Sequence, residues 1–190
     1  MIKRIGLVAA LFIVLSAVWY WPLISQLIRP GLVEVGVVKI EQPEHDGFAY
    51  ERLGISSPLS VNSETSPIAE QDWSKISEDL RQGVSLAFEG VSFSEAQLAF
   101  LTGHSSDTVR HPYASIFAPL GQAKIGDTFI IAVDGQDYNY QVTDKKIISP
   151  IAVDQFRQLE DDNIQRVALV TCWPPLTTTN RMVIVGNLIK

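Results

Sequence analysis

From Ile5 to Ile28 the chain carries no charged residue. That run exceeds the roughly 20 residues that cross a bilayer as a helix, which restricts it to a membrane span, a cleaved leader or a helix buried on every side. Lys3 and Arg4 precede the run, and Trp19, Tyr20 and Trp21 lie within it. This order matches a cationic inner flank followed by an aromatic interfacial belt. The run has no polar stripe, which disfavours the core helix of a soluble domain. No clean small-x-small cleavage site follows, the nearest being Ser16-Ala17. The expectation is a retained single-pass anchor over residues 1–30, with the N-terminus cytoplasmic and the remainder extracellular.

Charge sharpens this reading. All 21 acidic residues lie beyond residue 30, against 12 of the 15 basic ones, so residues 31–190 carry a net charge of −9. Nucleic-acid binding needs clustered cations that release counterions, and a polybasic grip on anionic lipid needs the same, so both are disfavoured.

Beyond the anchor, residues 31–50 read as a linker, with Glu34–Ile40 extended and residues 41–47 turn-rich. Residues 56–75 read as loop, followed by a short helix near Asp72–Arg81 that stops at Gly83. The rest is written in short apolar runs: Val84–Phe88, Gln97–Leu101, Phe129–Val133, Tyr138–Val142, Gln165–Thr171 and Met182–Ile189. Asp134-Gly135 between two of these runs is a hairpin signal, and Val153–Glu160 reads as a helical turn. Many strands and few helices predict an all-β barrel or sandwich over residues 51–190.

Cys172 is the chain's one cysteine, which rules out an internal disulfide. Most free cysteines are small buried hydrophobes, and that reading stands until neighbours argue otherwise. Three polar residues fall at ends of apolar runs: His104 in Leu101-Thr102-Gly103-His104-Ser105, Cys172 in Leu169-Val170-Thr171-Cys172-Trp173, and Arg181 in Asn180-Arg181-Met182. Strand ends of a barrel converge on one mouth. A thiol nucleophile, an imidazole acid–base and a cation for an oxyanion make a sufficient set for acyl transfer. Spacing alone leaves open the duller reading of a loop histidine and a surface arginine. One cysteine and three dispersed histidines give no zinc-ligand pattern, and no cofactor is expected. His45 and His111 receive no role.

These segments resemble those of the sortases. Thr102-Gly103-His104, Leu169-Val170-Thr171-Cys172 and Arg181 match in family order. Supporting pieces are Leu53-Gly54-Ile55, Tyr113, Phe117 with Pro119-Leu120, Gly126-Asp127 and Tyr138–Val142. The resemblance covers about residues 51–190. It implies a closed β-barrel of about eight strands with short helices, holding a membrane-anchored cysteine transpeptidase. Cys172, His104 and Arg181 would be its catalytic residues, with Thr171, Trp173 and Ser105 lining the peptide groove. Implied partners are exported proteins with a C-terminal sorting motif and an amine acceptor such as a peptidoglycan precursor. The nine-residue step from Cys172 to Arg181 resembles classes C, D and E more than A or B, and the lack of a second apolar span favours D and E over C. The chain departs from the family pattern in reading Glu89–Ser94 in place of a Pro-Gly-x-x-Gly-Asn-like turn. It also carries Leu176 where Cys-Trp-Pro-Pro forms continue with glycine.

Two other readings compete. An L,D-type cell-wall transpeptidase places its histidine and cysteine close in sequence, unlike the 68-residue separation here. A catalytically silent binding domain on the same fold is disfavoured by the presence of all three candidate residues.

Overall fold

The computed structural model of the chain describes all residues except 1, 42, 44, 63–72, 89–91, 151, 153–163 and 190. The first element is helix α1, Ile2–Glu34, of which Phe12–Glu34 is long and apolar enough to cross a membrane. It continues through Pro22 and Pro30 and overruns the boundary expected at residue 30. The stop comes at Gly36, with φ of +74°. There the Val37 N–H donates to the Leu32 carbonyl and the Gly36 N–H to the Val33 carbonyl, both at 2.9 Å. This pair of bonds is the Schellman cap, which glycine makes without steric cost. The extended segment expected at Glu34–Ile40 therefore does not form.

Among the described residues, eight strands follow, with one α-helix among them: β1 Gly47–Tyr50, β2 Ile55–Asn62, α2 Trp73–Gln82, β3 Val84–Phe88, β4 Leu98–Thr102, β5 Thr128–Val133, β6 Gln136–Ile148, β7 Arg166–Trp173 and β8 Asn180–Leu188. They close in the order β1-β2-β3-β4-β7-β8-β6-β5, with β1 pairing back onto β5. The eight-stranded barrel is as expected, but two sequence-based assignments need correction. Residues 55–62, read largely as loop because of Ser56-Ser57-Pro58, form β2. Pro58 stands where β2 passes from antiparallel pairing with β1 to parallel pairing with β3, so its missing N–H interrupts the ladder where partners change. β6 extends six residues past Val142, because a register shift between Val142 and Asp144 restarts its pairing with β8. The bulge breaks the alternation that the sequence displays up to that point. The turn expected at Val153–Glu160 lies outside the described residues.

Alternation divides the strands between two apolar clusters. Ala99, Leu101, Val167, Leu169, Met182 and Ile184 join the main core with Phe48, Tyr50, Phe117, Phe129 and Tyr140. The intervening Leu98, Phe100, Ala168, Val170, Val183 and Val185 form a second cluster on the opposite face. The main core is aromatic at its centre, with Phe129 stacked on Tyr140 at 5.3 Å and Phe48 edge-on to Phe117 at 5.5 Å.

A polar knot joins β1 to the turn before β5. The Tyr50 hydroxyl donates to Asp127 Oδ2 at 2.6 Å, the Lys124 N–H donates to the same oxygen at 2.8 Å, and the Arg52 guanidinium pairs with it. Desolvation pushes the Asp127 carboxyl up, but the bonds from Arg52, Tyr50 and Lys124 outweigh it and hold the group below the usual carboxylate range. A depressed carboxylate stabilises the fold above its unfolded pKa of about 3.9, and that contribution is lost as pH falls through the folded value. Asp127→Asn is expected to cost about 1–3 kcal/mol at pH 7. The gap from the parent chain should narrow as pH drops below about 4, measured by urea unfolding at several pH values. A gap independent of pH would mean that Asp127 acts by packing alone.

Candidate active site

β7 lies between a parallel neighbour and an antiparallel one, and this places the three candidate residues. In the β7–β8 ladder Cys172 is paired directly with Arg181. Residues directly opposite across an antiparallel pair project to the same face, with Cβ atoms about 4.5–5.5 Å apart. In the parallel β4–β7 ladder Thr102 pairs with Val170. Two more steps of that register bring His104 level with Cys172. The parity of Leu98 and Phe100 on β4, Ala168 and Val170 on β7, and Val183 and Val185 on β8 assigns all three positions to the face of the second cluster.

The chain holds this register past the end of β4. The Thr171 hydroxyl donates to the Gly103 carbonyl at 2.7 Å, the Gly103 N–H donates to the Val170 carbonyl, and the Phe117 N–H donates to the His104 carbonyl at 2.8 Å. Gly103 lies flat against the Phe117 ring, where a Cβ would come within 2.8 Å of it. Glycine before His104 is thus a packing requirement.

Three further residues were expected to line a peptide groove. Thr171 is 2% exposed and bonds to backbone. Trp173 packs against the main core with its ring over Gly121. Ser105 is 1% exposed, and its hydroxyl has no hydrogen-bond partner. Of the three, Thr171 ties the backbone beside His104.

His104 is partly buried, and desolvation lowers its pKa. Asp107 opposes that shift, while His111 and Arg81 add to it, so the neutral imidazole prevails at pH 7. Asp107 is 3.5 Å from His104 Nε2 and 3.2 Å from His111 Nε2, and the two rings meet edge-to-face at 5.5 Å. Desolvation acts upward on Asp107, but the Val109 N–H and the two imidazoles prevail and hold its carboxyl low. Neither Asp107 nor His111 was singled out from the sequence. They lie in an irregular loop where no periodicity marks a shared direction; only the bare His-x-x-Asp-x-x-x-His spacing was there to be noticed.

Cys172, Asp107 and His111 line one cavity of about 790 Å³, while His104 and Arg181 are not among its lining residues. Its other walls are Leu176–Thr178 of the β7–β8 loop and, from α1, residues including Trp19, Tyr20 and Leu23. The loop is tied across the cavity by the Leu176 N–H, which donates to the Ser106 hydroxyl at 2.6 Å.

This barrel belongs with the cysteine transpeptidase folds. Residues 60–189 match the Sortase domain family, and the chain belongs to the sortase family. A putative sortase, YwpE of Bacillus subtilis (strain 168), is 35% identical over 74 residues, covering 39% of this chain and 70% of that protein. Sortase C-1 of Actinomyces oris superposes with a TM-score of 0.57 at 23% identity, over 76% of this chain and 73% of that one. Sortase C1 of Streptococcus agalactiae, solved with MTSET, gives a TM-score of 0.57 at 26% identity, over 77% and 68%.

Leu176 occupies the left-handed region with φ of +70° and is 62% exposed, a conformation that costs an L-residue roughly 1–2 kcal/mol. Leu176→Gly is expected to raise stability by about 0.5 kcal/mol after glycine's own entropic cost, and Leu176→Val to lower it, since branching at Cβ suits φ > 0 least. Thermal unfolding of the pair checks the sign; the opposite order would show that the loop relaxes out of this conformation.

Proposed function

We propose that this chain is a membrane-anchored transpeptidase. It cleaves a C-terminal sorting motif of exported proteins through a Cys172 thioester and passes the acyl group to an amine. The observation that carries this reading is the strand register, which puts Cys172 opposite Arg181 and level with His104 at the ends of three neighbouring strands. α1 serves as the anchor, with Lys3 and Arg4 on the cytoplasmic side, and residues 51–190 with β1 form the extracellular catalytic unit. The short step between Cys172 and Arg181 supports a class D or E type.

The chemistry follows from the groups. Neutral His104 takes the Cys172 proton as sulfur attacks the scissile carbonyl carbon. The Arg181 Nη1 donates to the Thr178 and Asn180 carbonyls at 3.1 and 3.2 Å, which fixes the guanidinium at this end of the barrel. Its Nη2 and Nε remain as donors for the oxyanion. The tetrahedral adduct collapses to a thioester as the C–N bond breaks and His104 protonates the departing amine. An incoming amine, such as that of a peptidoglycan precursor, then attacks the thioester. It gives up its proton, and Cys172 leaves as the thiol.

Cys172→Ala is expected to abolish both cleavage of a fluorogenic sorting peptide and transfer to an added amine, with an unchanged circular dichroism spectrum. Residual turnover above background in that variant would remove Cys172 from the nucleophile role. Arg181→Ala should lower kcat by roughly 10²–10³-fold with little change in KM, as loss of an oxyanion donor does. An effect confined to KM would assign Arg181 to peptide binding instead.

A further inference from the structure

His104, Asp107 and His111 present three ligand atoms that all lie within 4.8 Å of one another. We propose that this triad binds a borderline divalent transition-metal ion of the zinc type, and that the bound ion switches off acyl transfer by taking the His104 ring.

The geometry is close to that of a filled site. Zinc bonds of about 2.0–2.1 Å in a tetrahedron set neighbouring ligand atoms about 3.3–3.4 Å apart. Asp107 Oδ2 is already 3.5 Å from His104 Nε2 and 3.2 Å from His111 Nε2. The one remaining edge, between the two rings, is no longer than 4.8 Å and has to shorten as an ion binds. All three side chains are mostly buried, His111 most of all at 10% exposure. The donors are also oriented from behind. Asp107 Oδ1 accepts from the Val109 N–H at 3.1 Å, which leaves Oδ2 turned to the imidazoles. The His104 carbonyl is held by Phe117 and the His111 carbonyl by Ala114. Such support is what fixes the first ring of ligands in metal sites.

One polar atom points to a missing partner. His104 Nε2 is buried and makes no hydrogen bond, since Asp107 stands beyond good geometry for one. His111 Nε2 is already within hydrogen-bond distance of Asp107 Oδ2, at 3.2 Å. A cation between the rings and the carboxylate satisfies His104 Nε2 directly. The fourth position faces the cavity that Asp107 and His111 share with Cys172, where water or the thiol can complete a tetrahedron. Two imidazoles with one carboxylate select zinc, cobalt, nickel or copper over magnesium and calcium, which prefer all-oxygen shells. Arg81, one of the charges that act against a cation at His104, is itself paired with Glu78 at 3.4 Å.

The inhibitory consequence rests on His104 as the acid–base; the site itself does not. The test uses untagged full-length chain in detergent carrying Cys172→Ala, titrated with Co²⁺ by visible absorption and with Zn²⁺ by calorimetry. One equivalent should bind, with d–d bands of a tetrahedral ion, and binding should be lost in Asp107→Asn and in His111→Gln. Because those variants can disturb the loop, imidazole ¹⁵N resonances of the Cys172→Ala chain provide an independent readout, with two rings shifting in step with the metal. Absence of saturable binding, or shifts confined to the surface His45, would overturn the site. In the active chain, one equivalent of Zn²⁺ should suppress peptide cleavage by at least tenfold and EDTA should restore it. Stoichiometric binding with undiminished cleavage would overturn the switch and the role of His104, while leaving the site in place.

Discussion

The pairing of β7 on both of its edges is the constraint on which this molecule turns. A parallel ladder to β4 and an antiparallel ladder to β8 fix β7 in a register that cannot slip by one residue without exchanging its faces. Such a slip would drive Ala168, Val170 and Cys172 into the aromatic core and expel Val167 and Leu169. The Thr171 hydroxyl carries this register one step past the last pair of the β4 ladder, by clasping the Gly103 carbonyl. The chemistry-bearing residues inherit their positions from this hydrophobic arithmetic rather than from contacts among themselves.

The two faces of β7 divide the work. Leu169 and Val167 tie the strand into the core, while Val170 and Ala168 belong to an apolar surface shared with β4 and β8. Cys172 continues the second row. On the far side of the barrel the Tyr50–Asp127–Arg52 knot holds β1 against the turn that enters β5, so the wall opposite the candidate site is pinned by charge where it lacks length.

Much of this was legible in the sequence. The runs Val84–Phe88 and Phe129–Val133 have the β-branched, aromatic composition of buried strands, and Asp134-Gly135 turns with positive φ at both residues, as its composition requires. His104 and Cys172 stood out as candidates because each follows an apolar run, and Arg181 because it opens one. What escaped was governed by tertiary context. The cap of α1 belongs to Gly36, beyond the anchor expected over residues 1–30, and its Schellman bonds reach back to Leu32 and Val33. Ser56-Ser57-Pro58 looked like a loop because Pro58 is tolerable only at a change of partner. The bulge at Thr143 hid the second half of β6. Asp107 and His111 converge on His104 through loop geometry, which leaves no period to read, and Thr171 and Trp173 flank the cysteine while facing inward by strand alternation alone.

One wall of the Cys172 cavity comes from α1, through residues such as Trp19, Tyr20 and Leu23. A helix of this kind is usually regarded as a tether, separable from the domain it carries. Here Trp19, Tyr20 and Leu23 of that helix also shape the space around the thiol. A barrel severed from α1 would lose that wall of the Cys172 cavity. Peptide selectivity measured on such a fragment would describe a different surface from that of the intact chain.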